Sequence, residues 1–151
     1  VEKTVVSLVD PQLVLFDVEA DSKEQVIRAL SEQLLQMGRI SDLDGYVSEV
    51  LEREGTSSTA VGFSLATPHA KSDFVTEATI GFARLSKELA WDDEESVKLV
   101  FLIAVPMKDK GDRHLQILAK LFRKFVDEDF LVTISQATNA AEIVALIDDI
   151  S

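Results

Sequence analysis

The chain has 151 residues and a formal net charge of −12, from 15 Lys+Arg against 27 Asp+Glu. That charge argues against non-specific binding to nucleic acid or anionic lipid, while permitting a basic protein partner or a small anion held at a local cationic site. With no cysteine and two histidines, the chain excludes thiolate catalysis, iron–sulfur clusters, disulfides and a three-histidine zinc site of its own.

Apolar residues at 46% and charged residues at 28% are a globular composition. The length and the lack of repeats, low-complexity tracts or Pro/Gly/Ser linkers predict one domain over residues 1–151. The longest apolar run, residues 99–105, is far short of the roughly 20 residues that cross a bilayer. No N-terminal segment resembles a signal peptide, so a cytoplasmic location is expected. Starting at Val1 without Met, the chain reads as processed or as a piece of something longer.

Val5, Val6, Leu8 and Val9 form a first short apolar segment closed by Asp10-Pro11, and residues 13–18 a second. Ser22 with Gln25 three residues on is a capping box. It opens a helix with Val26, Ile27, Leu30, Leu34 and Met37 on one face, stopped by Gly38. Ser41 and Asp44 repeat the start signal for a helix carrying Tyr46, Val47, Val50 and Leu51, ending near Arg53-Glu54-Gly55. A polar loop, residues 56–59, leads to Val61, Phe63 and Leu65, whose alternation predicts one half-buried strand cut off by Thr67-Pro68.

A further strand is expected over residues 78–84, then an acidic turn over 92–95. Residues 97–105 read as a central strand covered on both faces and ended by Pro106. After a charged loop with Asp112 as N-cap, a helix is expected to bury Leu115, Leu118, Leu121, Phe122 and Phe125. Two more helical segments follow, the second starting at Asn139 and Glu142. Strands and helices interleave, so the predicted class is α/β: a three-layer αβα sandwich around a mixed, about five-stranded sheet.

The histidines carry the chemistry. His69 follows a strand, a proline and a polar loop; His114 lies in the first turn of a helix, where backbone N–H groups favour anions. Alone, each has a bland reading, as a capping loop histidine and a solvated first-turn residue. As a pair, each lies just beyond a strand ended by proline, where ligand sites of α/β sheets collect. Lys108, Lys110 and Arg113 crowd His114, and Arg53 ends a helix before Ser57, Ser58 and Thr59. This cationic, hydroxyl-rich cluster suits phosphate. Other templates fail. No glycine-rich phosphate loop is present, Ser64 falls short of the nucleophile-elbow pattern, and residues 92–95 read as a solvated turn rather than a cation site.

Together these residues resemble the type-2 enzyme IIA domains of the bacterial phosphoenolpyruvate-dependent sugar phosphotransferase system, the fructose/mannitol class. The likeness lies in Arg53-Glu54, Ser58-Thr59-x-Val61-Gly62, Leu65-Ala66-Thr67-Pro68-His69-Ala70-Lys71-Ser72, the segment Val97 to Pro106, and His114-Leu115-Gln116-Ile117-Leu118-Ala119. It covers essentially the whole chain. The resemblance implies a phosphoryl carrier in which His69 accepts phosphate from the phosphocarrier HPr and passes it to a sugar-specific enzyme IIB. It implies His114 as a donor to the phosphoryl oxygens, Arg53 as counter-charge, Ser58 and Thr59 shaping the pocket, and no cofactor or metal. Phe63 and Phe74 are expected on an apolar rim. A regulatory, nitrogen-class-like enzyme IIA is the first alternative, and a binding domain that keeps the fold without the activity is the second. The family's glycine-rich loop differs here: Ser57, Ala60 and Ser64 replace glycines, Phe63 replaces Asn, and Thr67 replaces an aliphatic residue. Where those glycines hold positive φ, strain or another path is expected.

Overall fold

The computed structural model describes residues 8–109 and 113–148, and for 113 and 114 the main chain alone. After a 3-10 turn at Pro11–Leu13 come β1 (Val14–Val18), α1 (Lys23–Gln36), α2 (Leu43–Thr56), β2 (Ala60–Gly62), β3 (Leu65–Ala66), β4 (His69–Ser72), β5 (Thr79–Ala90) and β6 (Ser96–Pro106). Helices α3 (Arg113–Phe125), α4 (Glu128–Gln136) and α5 (Ala140–Ile147) complete it. Val5, Val6 and the expected cap Asp112 lie outside the described residues.

Local chemistry sets the helix ends. Ser22 Oγ accepts from the Gln25 amide at 3.3 Å, while Gln25 reaches back to the Asp21 amide at 2.7 Å, one residue earlier than a standard box. Gly38 (φ 71°) ends the first helical segment in a left-handed turn. The second helix is capped by Asp42, which accepts from Gly45, rather than by the expected Ser41 or Asp44. Asn139 caps α5 through the Glu142 amide, as expected.

The sheet is mixed and six-stranded, ordered β1-β5-β6-β3-β2, with β4 also on β6. Along the central β6, Val100, Leu102 and Ala104 join the core under α1 and α2. Leu99, Phe101, Ile103 and Val105 join the core under α3, α4 and α5. The three layers therefore follow from strand alternation. On the second face, Phe82, Phe101, Phe125 and Phe130 stack in sequence, with centroids 5.0, 5.5 and 6.3 Å apart.

Two expectations are corrected. Leu115 and Phe122 are 51% and 42% exposed, and Ile117 is buried in their place. Residues 117, 118, 121 and 125 share one helical arc, whereas 115 and 122, seven apart, fall on its border. The single strand expected through Val61, Phe63 and Leu65 is instead a hairpin, turning at Phe63 and Ser64 with φ of 57° and 60°. Apolar alternation continues across a turn when a hydrophobic side chain sits at its tip, and the period alone does not reveal the reversal.

The returning arm runs parallel to β6 in one register, Leu65 opposite Leu99 and His69 opposite Ile103. Thr67-Pro68 interrupts it, with the Pro68 carbonyl still accepting from the Ile103 amide at 3.0 Å. This break separates β3 from β4 and ends the cover that β2 gives the sheet edge.

Candidate phosphoryl-transfer site

His69 opens β4 rather than lying in a loop behind a strand. Alternation leaves His69 and Lys71 half-buried and sinks Ala70 and Ser72 into the interior. Opposite them, Glu49, Glu52, Arg53 and Thr56 form one face of the last two turns of α2, at spacings of three and four. Between helix and strand lies a cleft of about 530 Å³, lined by these four residues, His69, Ala70, Lys71 and Met107. Arg53 Nη1 donates to Thr56 Oγ1 at 3.2 Å and to the Ser57 carbonyl at 3.1 Å. These are neutral acceptors, and no carboxylate among the described residues forms an ion pair with the guanidinium.

The imidazole is oriented by the backbone. His69 Nδ1 lies 2.8 Å from the Thr67 carbonyl oxygen. A carbonyl only accepts, so Nδ1 carries the hydrogen and, in the neutral ring, Nε2 carries the lone pair. Beneath the strand, the Tyr46 hydroxyl is fully buried and donates to the Ile103 carbonyl at 3.5 Å. Burial holds that phenol protonated well above its ordinary range.

Arg53 and His69 thus share one cleft. Ser58 and Thr59 are not among the residues lining it. The Ser58 hydroxyl bonds Asp92, and with the amides of Glu94 and Glu95 it holds that carboxyl below its usual value. Thr59 is committed to Glu54, through its amide at 2.7 Å and its hydroxyl at 2.5 Å.

The two aromatic rim candidates are elsewhere. Phe63 stands 63% exposed at the hairpin tip, beside Val61, Phe122, Phe125 and Val126. Phe74 packs on the first turn of α2, so close that a Cβ on Gly45 would come within 2.5 Å of its ring. The apolar residues lining the cleft are Ala70 and Met107, the latter immediately after β6. His114 occupies the first turn of α3; its side chain, that of Arg113, and all of Lys110 lie outside the described residues. Lys108 borders an adjoining hollow with Asp73, Pro106 and the same Met107.

Sequence reasoning passed over Lys71, Met107 and Glu54 as site-building residues. Lys71 had a signal, since a strand beginning at His69 places residue 71 on the same side. Glu54 had another: it continues the buried phase of Val47 and Val50 as an acidic residue on an apolar stripe.

Residues 7–150 match the family described as phosphoenolpyruvate-dependent sugar phosphotransferase system, EIIA 2. A fructose-specific EIIA component of Haloferax volcanii is 38% identical over 129 residues, which cover 83% of each chain. A 2-O-alpha-mannosyl-D-glycerate-specific EIIABC component of Escherichia coli is 37% identical over 131 residues; they cover 85% of this chain but 20% of that longer protein. Among solved structures, the nitrogen regulatory protein IIA-Ntr of Neisseria meningitidis superposes with a TM-score of 0.84 at 25% identity, covering 93% of this chain and 96% of that one.

Proposed function

Because the chain belongs to the EIIA 2 family of the phosphoenolpyruvate-dependent sugar phosphotransferase system, we propose that His69 is its phosphoryl-accepting residue. HPr is the donor in this reading, and a fructose-class enzyme IIB the acceptor. The observation that carries it is the Nδ1–H bond to the Thr67 carbonyl, which assigns the lone pair to Nε2. Attack by Nε2 on phosphorus, in line with the departing donor nitrogen, forms the new N–P bond as the old one breaks. Positive charge develops on the ring, and the Thr67 carbonyl stabilises it by accepting the Nδ1–H hydrogen bond. Arg53 and Lys71, lining the same cleft, offset the phosphoryl oxygens electrostatically.

His114 is proposed as a further donor to those oxygens, from the first turn of α3. Ser58 and Thr59 then act through the loop that carries Arg53's acceptors, rather than on the phosphate. The likeness to a fructose-specific relative along 83% of both chains supports the transport reading.

The test is incubation with enzyme I, HPr and labelled phosphoenolpyruvate, for wild type, His69→Gln and His114→Ala. Wild type is expected to take up acid-labile, base-stable label, His69→Gln none, and His114→Ala label that moves on more slowly. No label on wild type with cognate partners overturns the proposal. The structural likeness to IIA-Ntr favours a second reading, a regulatory protein whose partners distinguish its phosphorylation states. Label that reaches His69 but passes to no enzyme IIB, together with target binding lost on phosphorylation, would select it.

A further inference from the structure

Glu54 is an acidic residue only 3% exposed, in the last turn of α2. The helix C-terminus repels a carboxylate there, and burial adds a desolvation cost. It is held by three donors: the Thr59 amide at 2.7 Å, the Thr59 hydroxyl at 2.5 Å, and Trp91 Nε1 at 3.2 Å. Trp91 and Thr59 are themselves buried. Nothing in the transfer chemistry above touches this carboxylate. A buried ionisable group kept at such expense calls for an account.

The bonds continue from it toward the nucleophile. Thr59, fixed on Glu54, offers its carbonyl to the Thr67 amide at 3.0 Å and to the Thr67 hydroxyl at 3.4 Å. Thr67, buried, offers its own carbonyl to His69 Nδ1 at 2.8 Å. The carbonyl that decides the histidine tautomer therefore belongs to a residue whose position is set by Thr59, and Thr59 is set by Glu54. The neighbouring Arg53 hydrogen-bonds Thr56 and Ser57 of the same connection. One carboxylate thus anchors the segment between Arg53 and the His69 imidazole.

We infer that Glu54 is a positioning residue: through Thr59 and Thr67 it holds the His69 ring in the Nδ1–H form, with Nε2 as the reacting nitrogen. Its kinetic consequence rests on the phosphoryl-carrier reading, but the tautomer itself does not. The role needs acceptor oxygens in place rather than negative charge as such. A glutamine can supply a carbonyl to the Thr59 amide and Trp91, and an NH₂ group to the Thr59 hydroxyl, which accepts as readily as it donates. A leucine can supply neither.

The test compares Glu54→Leu and Glu54→Gln by long-range ¹H–¹⁵N spectra of the His69 ring above its titration, and by the rate of phosphoryl acceptance from HPr. Glu54→Leu is expected to shift the ring toward Nε2–H and to slow acceptance about 10- to 100-fold, the scale of a nucleophile displaced by an ångström or less. Glu54→Gln is expected to keep the wild-type tautomer and a rate within about threefold, since its amide reproduces the hydrogen bonds. A folded Glu54→Leu protein with wild-type spectra and rate overturns the inference, and so does a Glu54→Gln protein as impaired as the leucine variant. Should Glu54→Leu not fold, Thr59→Val decides. It removes one donor and keeps the amide, so a partial tautomer shift is expected and an unchanged ring contradicts the role. If wild type accepts no phosphoryl group, the carrier reading fails while the spectra still decide the part played by Glu54.

Discussion

The hairpin between α2 and β4 is built on opposite terms at its two ends. At its root, buried Thr59 donates to Glu54 and accepts from buried Thr67, and the arrangement terminates on His69. At its tip, Phe63 and Ser64 hold φ of 57° and 60° with no glycine between them. Such left-handed residues cost roughly 1–2 kcal/mol each. Positive φ at both central positions is the sign pattern of a type I′ turn, which Asn-Gly fits best. The resembled family pattern has Asn and Gly at these two places. The lesson is that polar satisfaction is concentrated where His69 hangs, whereas strain is tolerated where no candidate site residue depends on the backbone.

That contrast can be broken or sharpened by three measurements. The largest effect is expected at the root side of the cleft. Arg53→Ala should lower the rate of phosphoryl transfer about 10²- to 10³-fold, the usual loss of one preorganised charge-stabilising donor, and leave the melting temperature nearly unchanged. A similar loss of stability would mean that Arg53 holds the fold instead. At the tip the sign reverses. Ser64→Gly should raise unfolding stability in urea by about 1 kcal/mol by relieving the left-handed strain, without altering the transfer rate. A slowed rate would show that the tip bears on the site after all.

The smallest effect concerns Asp92, whose carboxyl is held below its ordinary value of 3.8 by Ser58 and the Glu94 and Glu95 amides. A depressed carboxylate contributes stability above its unfolded-state value and loses it as pH falls through the folded-state one. The stability lead of wild type over Asp92→Asn should therefore be full at neutral pH, shrink as pH falls below about 3.8, and be gone only below the depressed folded-state value. Because this aspartate lies half-exposed in a turn, the difference will be modest. A lead that is constant with pH would assign it to shape alone.

Much of this molecule was legible in one dimension because its determinants are local. Capping residues marked the helices that begin at Lys23 and Ala140, and the run through residues 97–105 announced a central strand. Arg53 and His69 were expected as site residues by type and setting, and the structure brings the two to one cleft. What remained hidden depends on partners distant in sequence. The reversal at Phe63 preserves the apolar period that would have signalled it. Phe74 reads as a rim aromatic until Gly45, 29 residues earlier in the first turn of α2, makes room for its ring. Glu54 and Trp91, 37 residues apart, meet only once the β5–β6 connection folds over the end of α2.

Placing the proposed phosphoryl acceptor, His69, on a ladder-bonded strand, instead of a swinging arm, has a consequence for traffic. His69 is tied to β6 through residues on either side of it, so the ring has no second station at which to meet another protein. In the proposed transfer, donor and acceptor come to the same berth in turn, and each excludes the other while it is there. Under the proposed chemistry, turnover should follow ping-pong kinetics, with excess unphosphorylated acceptor competing against the incoming donor.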